Sequence, residues 1–213
     1  MRLDKFLANE NIGSRKAVGV LVRSGAVTVN GQAVKKADMQ VDPACDTVCV
    51  NGAPVRYNAH IYIMMNKPAG VLTATRDSRA ETVLDLLPPA LKRRGLFPAG
   101  RLDKDTEGLL LFTDDGMLDV RLLRPEQHVE KEYEYRAFGL LDETAMRQLE
   151  TGVLLLEGQP PSLPARAQLL AHTSIGESAP YLPERFREKY LKNPSRPVTA
   201  GKLWITEGRK HQV

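Results

Sequence analysis

The most constraining stretch of this chain runs from Gly100 to Gly116 and reads GRLDKDTEGLLLFTDDG. Leu109–Thr113 is an apolar, strand-length run, and such a run must be buried. The five acids around it must be solvated, paired or used. The fold therefore needs a core strand with charged loops at both ends, one of them behind the hinge-like Pro98-Ala99-Gly100. Three uses for the acids compete. Asp103, Asp105 and Glu107, with Gly108 and then Asp114, imitate the ligand spacing of a calcium loop. The imitation fails because LLLFT stands where such a loop is polar, so no metal is expected. Asp114-Asp115-Gly116 reads as a turn at the rim of a hairpin. Neither use accounts for Arg101-Leu102-Asp103, a carboxylate set between a base and a core strand. That is the position of a tuned, partly buried carboxylate.

Elsewhere the pattern is α+β. Leu3, Phe6 and Leu7 have helical spacing, Gly13 interrupts it, and Ser14 can cap a second helix with Ala17, Val20 and Leu21 on its apolar side. AVTVNGQAV predicts a type I′ hairpin at Asn30-Gly31, and a strand near 47–50 leads to a second Asn-Gly at Asn51-Gly52. A boundary follows near 57–59. Beyond it, HIYIMMN, VLTAT, LLLFT, EKEYEYRAF, VLLLEG and GKLWITEG read as strands. ETVLDLL, MLDVRLL and DETAMRQLETG read as helices. Strands outnumber helices and come in hairpins, which predicts a mixed, largely antiparallel sheet. Residues 172–198 read as a long loop, with Tyr181, Phe186 and Tyr190 interleaved among Arg185, Arg187, Lys189, Lys192 and Arg196. Two uses stand open for it: contact with RNA, or a mobile surface insertion.

Charge is unevenly placed. The chain is +4 overall, but residues 1–36 carry seven bases against two acids, so that block is +5 and the remainder −1. A basic block on a near-neutral chain suits a polyanion-binding module. No run of eighteen apolar residues suggests a membrane span, and no membrane association is expected. The N-terminus lacks the apolar core of a secretory signal. Cys45 and Cys49 are too few for a disulfide framework and read as two thiols on one short strand. A cytoplasmic monomer is expected.

Two resemblances sharpen this reading. RLDKFLA, GSRKAV and GAVTVNG resemble the alpha-L RNA-binding domain shared with a small-subunit ribosomal protein. The resemblance implies a domain over 1–57 with Arg2, Lys5, Ser14, Arg15, Lys16 and Arg23 at RNA. Further on, GRLD followed by T-x-GLLLFT-x-DG is similar to the central motif of the RNA pseudouridine synthases, in the family of ribosomal small-subunit synthase A. NKPAG (66–70), KEY (131–133) and EGRKHQV (207–213) resemble that family's other motifs. The implied catalytic domain spans 60–213.

That resemblance implies an isomerase that cleaves the uridine glycosidic bond and reattaches uracil through carbon five, with no cofactor and no metal. It makes Asp103 the essential carboxylate, either attacking the anomeric carbon or removing the ribose 2′ proton; the sequence does not choose between them. Tyr133 stacks on the uracil and is a candidate for deprotonating carbon five. Arg101 holds the flipped base, and Asn66, Lys67, Lys131 and Arg209 line the substrate site, Asn66 and Lys67 more as its wall than as chemical groups. The implied partner is ribosomal RNA or a ribosomal assembly intermediate, with the His211-Gln212-Val213 ending closer to the small-subunit type. Family members continue past this point with a basic residue that pairs with the carboxylate, so these residues read as an incompletely represented chain of low activity. Two other readings are a non-catalytic rRNA-binding assembly protein and a nucleoside-cleaving hydrolase. An intact Asp103 and Tyr133 speak against the first, and the basic N-terminal module against the second.

Overall fold

The computed structural model of the chain describes residues 1–92, 95–127, 129–209 and 211–213. It divides into two compact units. One comprises Met1–Met65, Val71–Pro98 and Leu109–Asp115, the other Asn66–Gly70, Ala99–Gly108 and Gly116–Val213.

The first unit opens with helices α1 (Leu3–Asn9) and α2 (Arg15–Arg23). The Ser14 hydroxyl accepts from the Ala17 amide at 3.2 Å, the expected N-cap. The buried face of α2 is formed by Val18 and Val22, not by Ala17 and Val20, and Val20 is exposed. The expected face was one position off, because a short valine-rich helix offers two nearly equivalent stripes. Strands β1 (Val27–Val29), β2 (Gln32–Ala33), β3 (Val48–Val50) and β4 (Ala53–Pro54) form a sheet in the order β2-β1-β3-β4. Both Asn-Gly pairs turn as predicted: Asn30, Gly31, Asn51 and Gly52 all have positive φ, the geometry of type I′. Cys49 lies in β3 but Cys45 lies in the preceding turn, so the two thiols do not share a strand. Leu3, Phe6, Leu7, Val18, Val22 and Val27 lead one apolar core, with Tyr57 stacked on Phe6 at 5.3 Å.

A second core in this unit gathers Val71, Val83, Leu87, Leu96, Leu110 and Phe112. Strands β5 (Tyr62–Lys67), β6 (Phe97–Ala99) and β7 (Gly108–Thr113) form a sheet in the order β5-β7-β6. Neither β5 nor β7 is buried throughout. Met64 and Leu109 are exposed while Leu110 and Phe112 are buried, so each strand has one covered face. VLTAT is not a strand: only Leu72 bridges, to Thr82. ETVLDLL is a turn, where the Asp85 carboxylate accepts from the Thr82 amide and hydroxyl at 2.9 and 2.8 Å. That side-chain closure offers the backbone an alternative to a helix.

The second unit is built on the antiparallel ladder β8 (Lys131–Phe138), β9 (Arg166–Ser174) and β10 (Pro197–Ile205), with β10 central. Helix α3 (Gly116–Leu123) precedes it. Helix α4 (Glu143–Thr151) is capped by Asp142, which accepts from the Ala145 amide at 2.8 Å. VLLLEG is irregular, with Leu154 and Leu156 exposed. The strand pairing with β10 is instead β9, whose polar and half-exposed sequence carries little strand signal. Gly201 lies opposite Tyr135, and a Cβ there would come 2.5 Å from the phenol oxygen. Only glycine lets the ring lie across the ladder.

Residues 172–198 are not a loop. They hold the end of β9, a 3-10 turn at Ala179–Tyr181, helix α5 (Glu184–Leu191) and the start of β10. Of the aromatics for which RNA contact or a mobile insertion stood open, two make contacts within this unit. Tyr190 meets Phe138 of β8 edge-on at 4.9 Å, and Arg136 lies over the Tyr181 ring at 3.4 Å. Ile175 and Ser178 are buried.

Candidate active site

The site is built from the segment between β6 and β7, which belongs to the second unit. Gly100 turns the chain at positive φ. The Thr106 amide donates to the Asp103 carbonyl at 3.1 Å, and the Gly70 amide to the Lys104 carbonyl at 2.8 Å. Beneath lies Lys67, fully buried at the end of β5. Its ammonium donates to the carbonyls of Pro68 (3.0 Å), Lys104 (3.0 Å) and Thr106 (2.9 Å). These charge-assisted bonds replace the lost water. Burial pulls the ammonium pKa down, and the charges of Glu107 and then Asp103 oppose that pull. Lys67 therefore fastens the loop from below, with its ammonium turned to the backbone.

Asp103 stands on that loop. The sequence predicts a partly buried carboxylate, whereas its side chain is half exposed. Beside it lies the His211 imidazole, whose Nε2 is 3.9 Å from Oδ1. From the ladder, Tyr133 turns the same way as Lys131 and Tyr135, while Glu132 and Glu134 between them are exposed. The Tyr133 phenol is pushed above its ordinary pKa, first by burial and then by the Asp103 charge.

The remaining nominated residues are placed as follows. Asn66 and Arg101 are exposed. Lys131 donates to the Thr206 carbonyl at 3.2 Å, and burial pulls its pKa down. Arg209 grips the segment 159–161, donating to the Pro160 and Pro161 carbonyls at 2.8 and 3.1 Å and to Gln159 Oε1 at 2.6 Å. Its guanidinium thus orders a surface loop. Lys210, inside the EGRKHQV motif, lies outside the described residues.

The five acids of the opening stretch divide by task. Asp103 faces His211, Asp105 pairs with Arg185, and Glu107 offsets the burial of Lys67. Asp114 accepts from the Ile61 amide at 3.1 Å and contacts His60 Nδ1 at 3.2 Å, and Asp115 accepts from the Tyr62 hydroxyl at 3.0 Å. The last two tie strand ends together. Sequence reasoning missed His211 and Arg185 as neighbours of this loop. His211 was in view within its motif, but nothing in the spacing announced the left-handed backbone (φ 55°) at that position.

On the N-terminal helices Lys5, Arg15, Lys16 and Arg23 are exposed. Arg2 is held by Asp4 through Nε and Nη2 at 3.1 and 2.8 Å. That pair, with a further contribution from Arg15, keeps the buried Asp4 carboxyl below its ordinary range. The Ser14 hydroxyl is occupied by its cap.

A two-helix basic module, followed by an antiparallel ladder with a half-buried tyrosine and a loop with an accessible carboxylate, defines a class. The family model for RNA pseudouridylate synthase matches residues 61–213, and that for the S4 domain matches residues 1–48. The chain belongs to the RNA pseudouridylate synthase family: it is an isomerase with an N-terminal S4 RNA-binding domain, and its partner is RNA. It is 46% identical over 213 residues to an uncharacterised RNA pseudouridine synthase, YtzG, of Bacillus subtilis, covering 100% of this chain and 80% of that one. It is 34% identical to ribosomal small subunit pseudouridine synthase A of Escherichia coli, over 100% of this chain and 80% of the relative. With ribosomal large subunit pseudouridine synthase B of Bacillus subtilis the identity is 35%, over 80% and 68%. A solved pseudouridylate synthase superposes with a TM-score of 0.52 at 30% identity, over 100% of this chain and 80% of that one. The likeness is to the family as a whole and not to small-subunit synthase A in particular. Among the described residues, no helix is long and apolar enough to cross a membrane.

Proposed function

We propose that this enzyme converts one uridine of small-subunit ribosomal RNA to pseudouridine in the cytoplasm, with Asp103 as the essential carboxylate. The observation that supports the assignment of Asp103 is its placement: an accessible carboxylate in the GRLD motif, on a loop whose carbonyls are held from below by the buried Lys67. An accessible carboxylate suits a target base that must leave its stack to be reached. Asp103 either attacks the anomeric carbon or takes the 2′ proton. Both steps end its negative charge, and both suit a group that stabilises positive charge developing on the sugar.

Tyr133 then has two states. While Asp103 is ionised, the phenol is held neutral and serves as a stacking surface for uracil. Once the carboxylate has been esterified or protonated, the electrostatic part of that hold disappears, and the phenol is nearer to the ionised form that deprotonates carbon five. Arg101 and Asn66 are exposed and are assigned to contact with RNA. Lys131 lines the same wall.

Asp103→Asn tests the assignment. Activity should fall by about 10²–10⁴-fold, the worth of a positioned acid, base or nucleophile, with RNA affinity retained. Near-normal turnover would remove Asp103 from the chemistry. The small-subunit substrate rests on the full-length match to synthase A and on the His211-Gln212-Val213 ending. The comparable identity to synthase B favours a second reading, large-subunit ribosomal RNA. Mapping pseudouridines in both RNAs, with and without the gene, separates them: one site should vanish from small-subunit RNA, and its loss from large-subunit RNA would decide for the second reading.

A further inference from the structure

We propose that Arg185 of α5 is a positioning residue that holds the Asp103 loop at a fixed distance from Tyr133. The proposal rests on the reading of Asp103 as the essential carboxylate. Its basis is an unbroken series of contacts from the ladder to the loop. Phe138 ends β8, the strand that carries Tyr133. Tyr190 packs on Phe138 at 4.9 Å, and Phe186 on Tyr190 at 5.8 Å. The Arg185 guanidinium lies 4.4 Å over the Phe186 ring and pairs with the Asp105 carboxylate, two residues from Asp103. Arg196 covers Phe138 at 4.4 Å and closes the near end.

Each link restricts the next. Aromatic packing fixes the helix face, and a guanidinium lying over a ring retains fewer orientations than one in water. The loop is thus held twice: Lys67 binds its carbonyls from below, and Arg185 takes its side chain from the flank. The first hold sets the backbone of 104–106. The second sets the lateral position of the segment bearing Asp103. Alignment of this kind changes rate more than affinity, because a small misplacement of a reacting group is costly. An excursion of this length between paired strands then has a task beyond covering surface.

Competing with this is direct contact of Arg185 with RNA phosphate. The two differ in what they change. Loss of a phosphate contact raises KM and flattens the salt dependence of binding. Loss of a positioning contact lowers kcat and is repaired by restoring the pair in reverse.

The experiment is steady-state release of tritium from uracil carbon five in an rRNA transcript. It compares the full chain with Arg185→Glu, Asp105→Asn and the double variant Arg185→Glu/Asp105→Arg. We expect Arg185→Glu to lower kcat about tenfold with KM within about twofold, and Asp105→Asn to lower it by a smaller factor. The reversed pair should return kcat to within about threefold of the parent, which is coupling in a double-mutant cycle. If Arg185→Glu fails to fold, Asp105→Asn reads the same pair without altering the helix. Unchanged kcat in both single variants, or a loss confined to KM that reversal does not repair, overturns the proposal. Either result beside an inactive Asp103→Asn leaves the reading of Asp103 intact, whereas an active Asp103→Asn removes that reading first.

Discussion

Replacing Lys67 by methionine isolates the lower of the two holds on the loop. Methionine keeps the length of the side chain and removes its three donors. The Lys104 carbonyl keeps the Gly70 amide, so two acceptors, on Pro68 and Thr106, lose this donor. A buried acceptor left unpaired costs about 1–3 kcal/mol, which puts the gross loss at roughly 2–6 kcal/mol. Against this stands relief from burying an ammonium, whose direction is visible in the lowered Lys67 pKa. The bonds are part-buried, and water reaches the freed carbonyls in part, so a net destabilisation of about 1–3 kcal/mol is expected. Urea unfolding of the full chain reads this as a lower midpoint at unchanged slope. The tritium assay should show kcat falling with it, because the backbone under Asp103 loosens. A Lys67→Met protein with the parent midpoint and parent kcat would refute the argument.

Two carboxylates give opposite pH signatures in the same unfolding assay. Asp4 is held by Arg2 below its ordinary value, so its contribution is full above the unfolded pKa of about 4 and is lost as pH falls through the lower folded value. Asp4→Asn should destabilise at pH 7 and shrink the acid-side loss of stability; an unaltered acid limb would contradict the pairing. Asp119 in α3 has a buried Oδ1 with no hydrogen-bond partner, and burial raises its pKa. Its contribution is full below the unfolded pKa and is lost as pH rises through the folded one, so Asp119→Asn should raise the urea midpoint at pH 7 and leave it nearly unchanged at pH 4. A lower midpoint at pH 7 would mean that the ionised carboxylate is favoured in the fold.

What the sequence made legible was what local chemistry controls. Both Asn-Gly turns, the Ser14 and Asp142 caps and the Lys131–Phe138 strand follow from neighbours within a few residues. The failures share a cause. ETVLDLL has helical apolar spacing, but the Asp85 side chain closes a tighter turn over Thr82. VLLLEG is apolar enough for a strand, yet the edge of β10 is taken by the plainer RAQLLAHTS. Pairing partners are chosen across the fold, and composition does not carry that choice. In the site, motif spacing brought Asp103 and Tyr133 into view. It did not reveal that Lys67 turns inward or that Arg209 grips 159–161, since both depend on carbonyls whose direction only the folded backbone sets. Residues 172–198 were misread for a related reason: basic and aromatic residues in alternation have the same composition whether they face RNA or stack on a strand.

The division of labour among the acids also bears on the order of the chemical steps. A loop with five carboxylates around one strand would repel an RNA backbone if all five stood free. Four of them have other partners or tasks, and each is drawn into the fold by a named group: Asp105 by Arg185, Glu107 by the Lys67 charge, Asp114 by Ile61 and His60, Asp115 by Tyr62. Among the described residues, Asp103 has an imidazole at 3.9 Å, beyond hydrogen-bond reach, and its charge acts on the buried Lys67 ammonium. Its carboxylate is half exposed while the other four acids are engaged in the fold. Burial first, and then the same charge, keeps the Tyr133 phenol neutral. On the proposed mechanism, the carboxylate acts first and the tyrosine second. Asp103→Asn should then lower the Tyr133 pKa, observable as a shift of tyrosinate absorbance to lower pH in the inactive protein. An unshifted titration would show that the phenol takes its raised pKa from burial and gains nothing from the carboxylate.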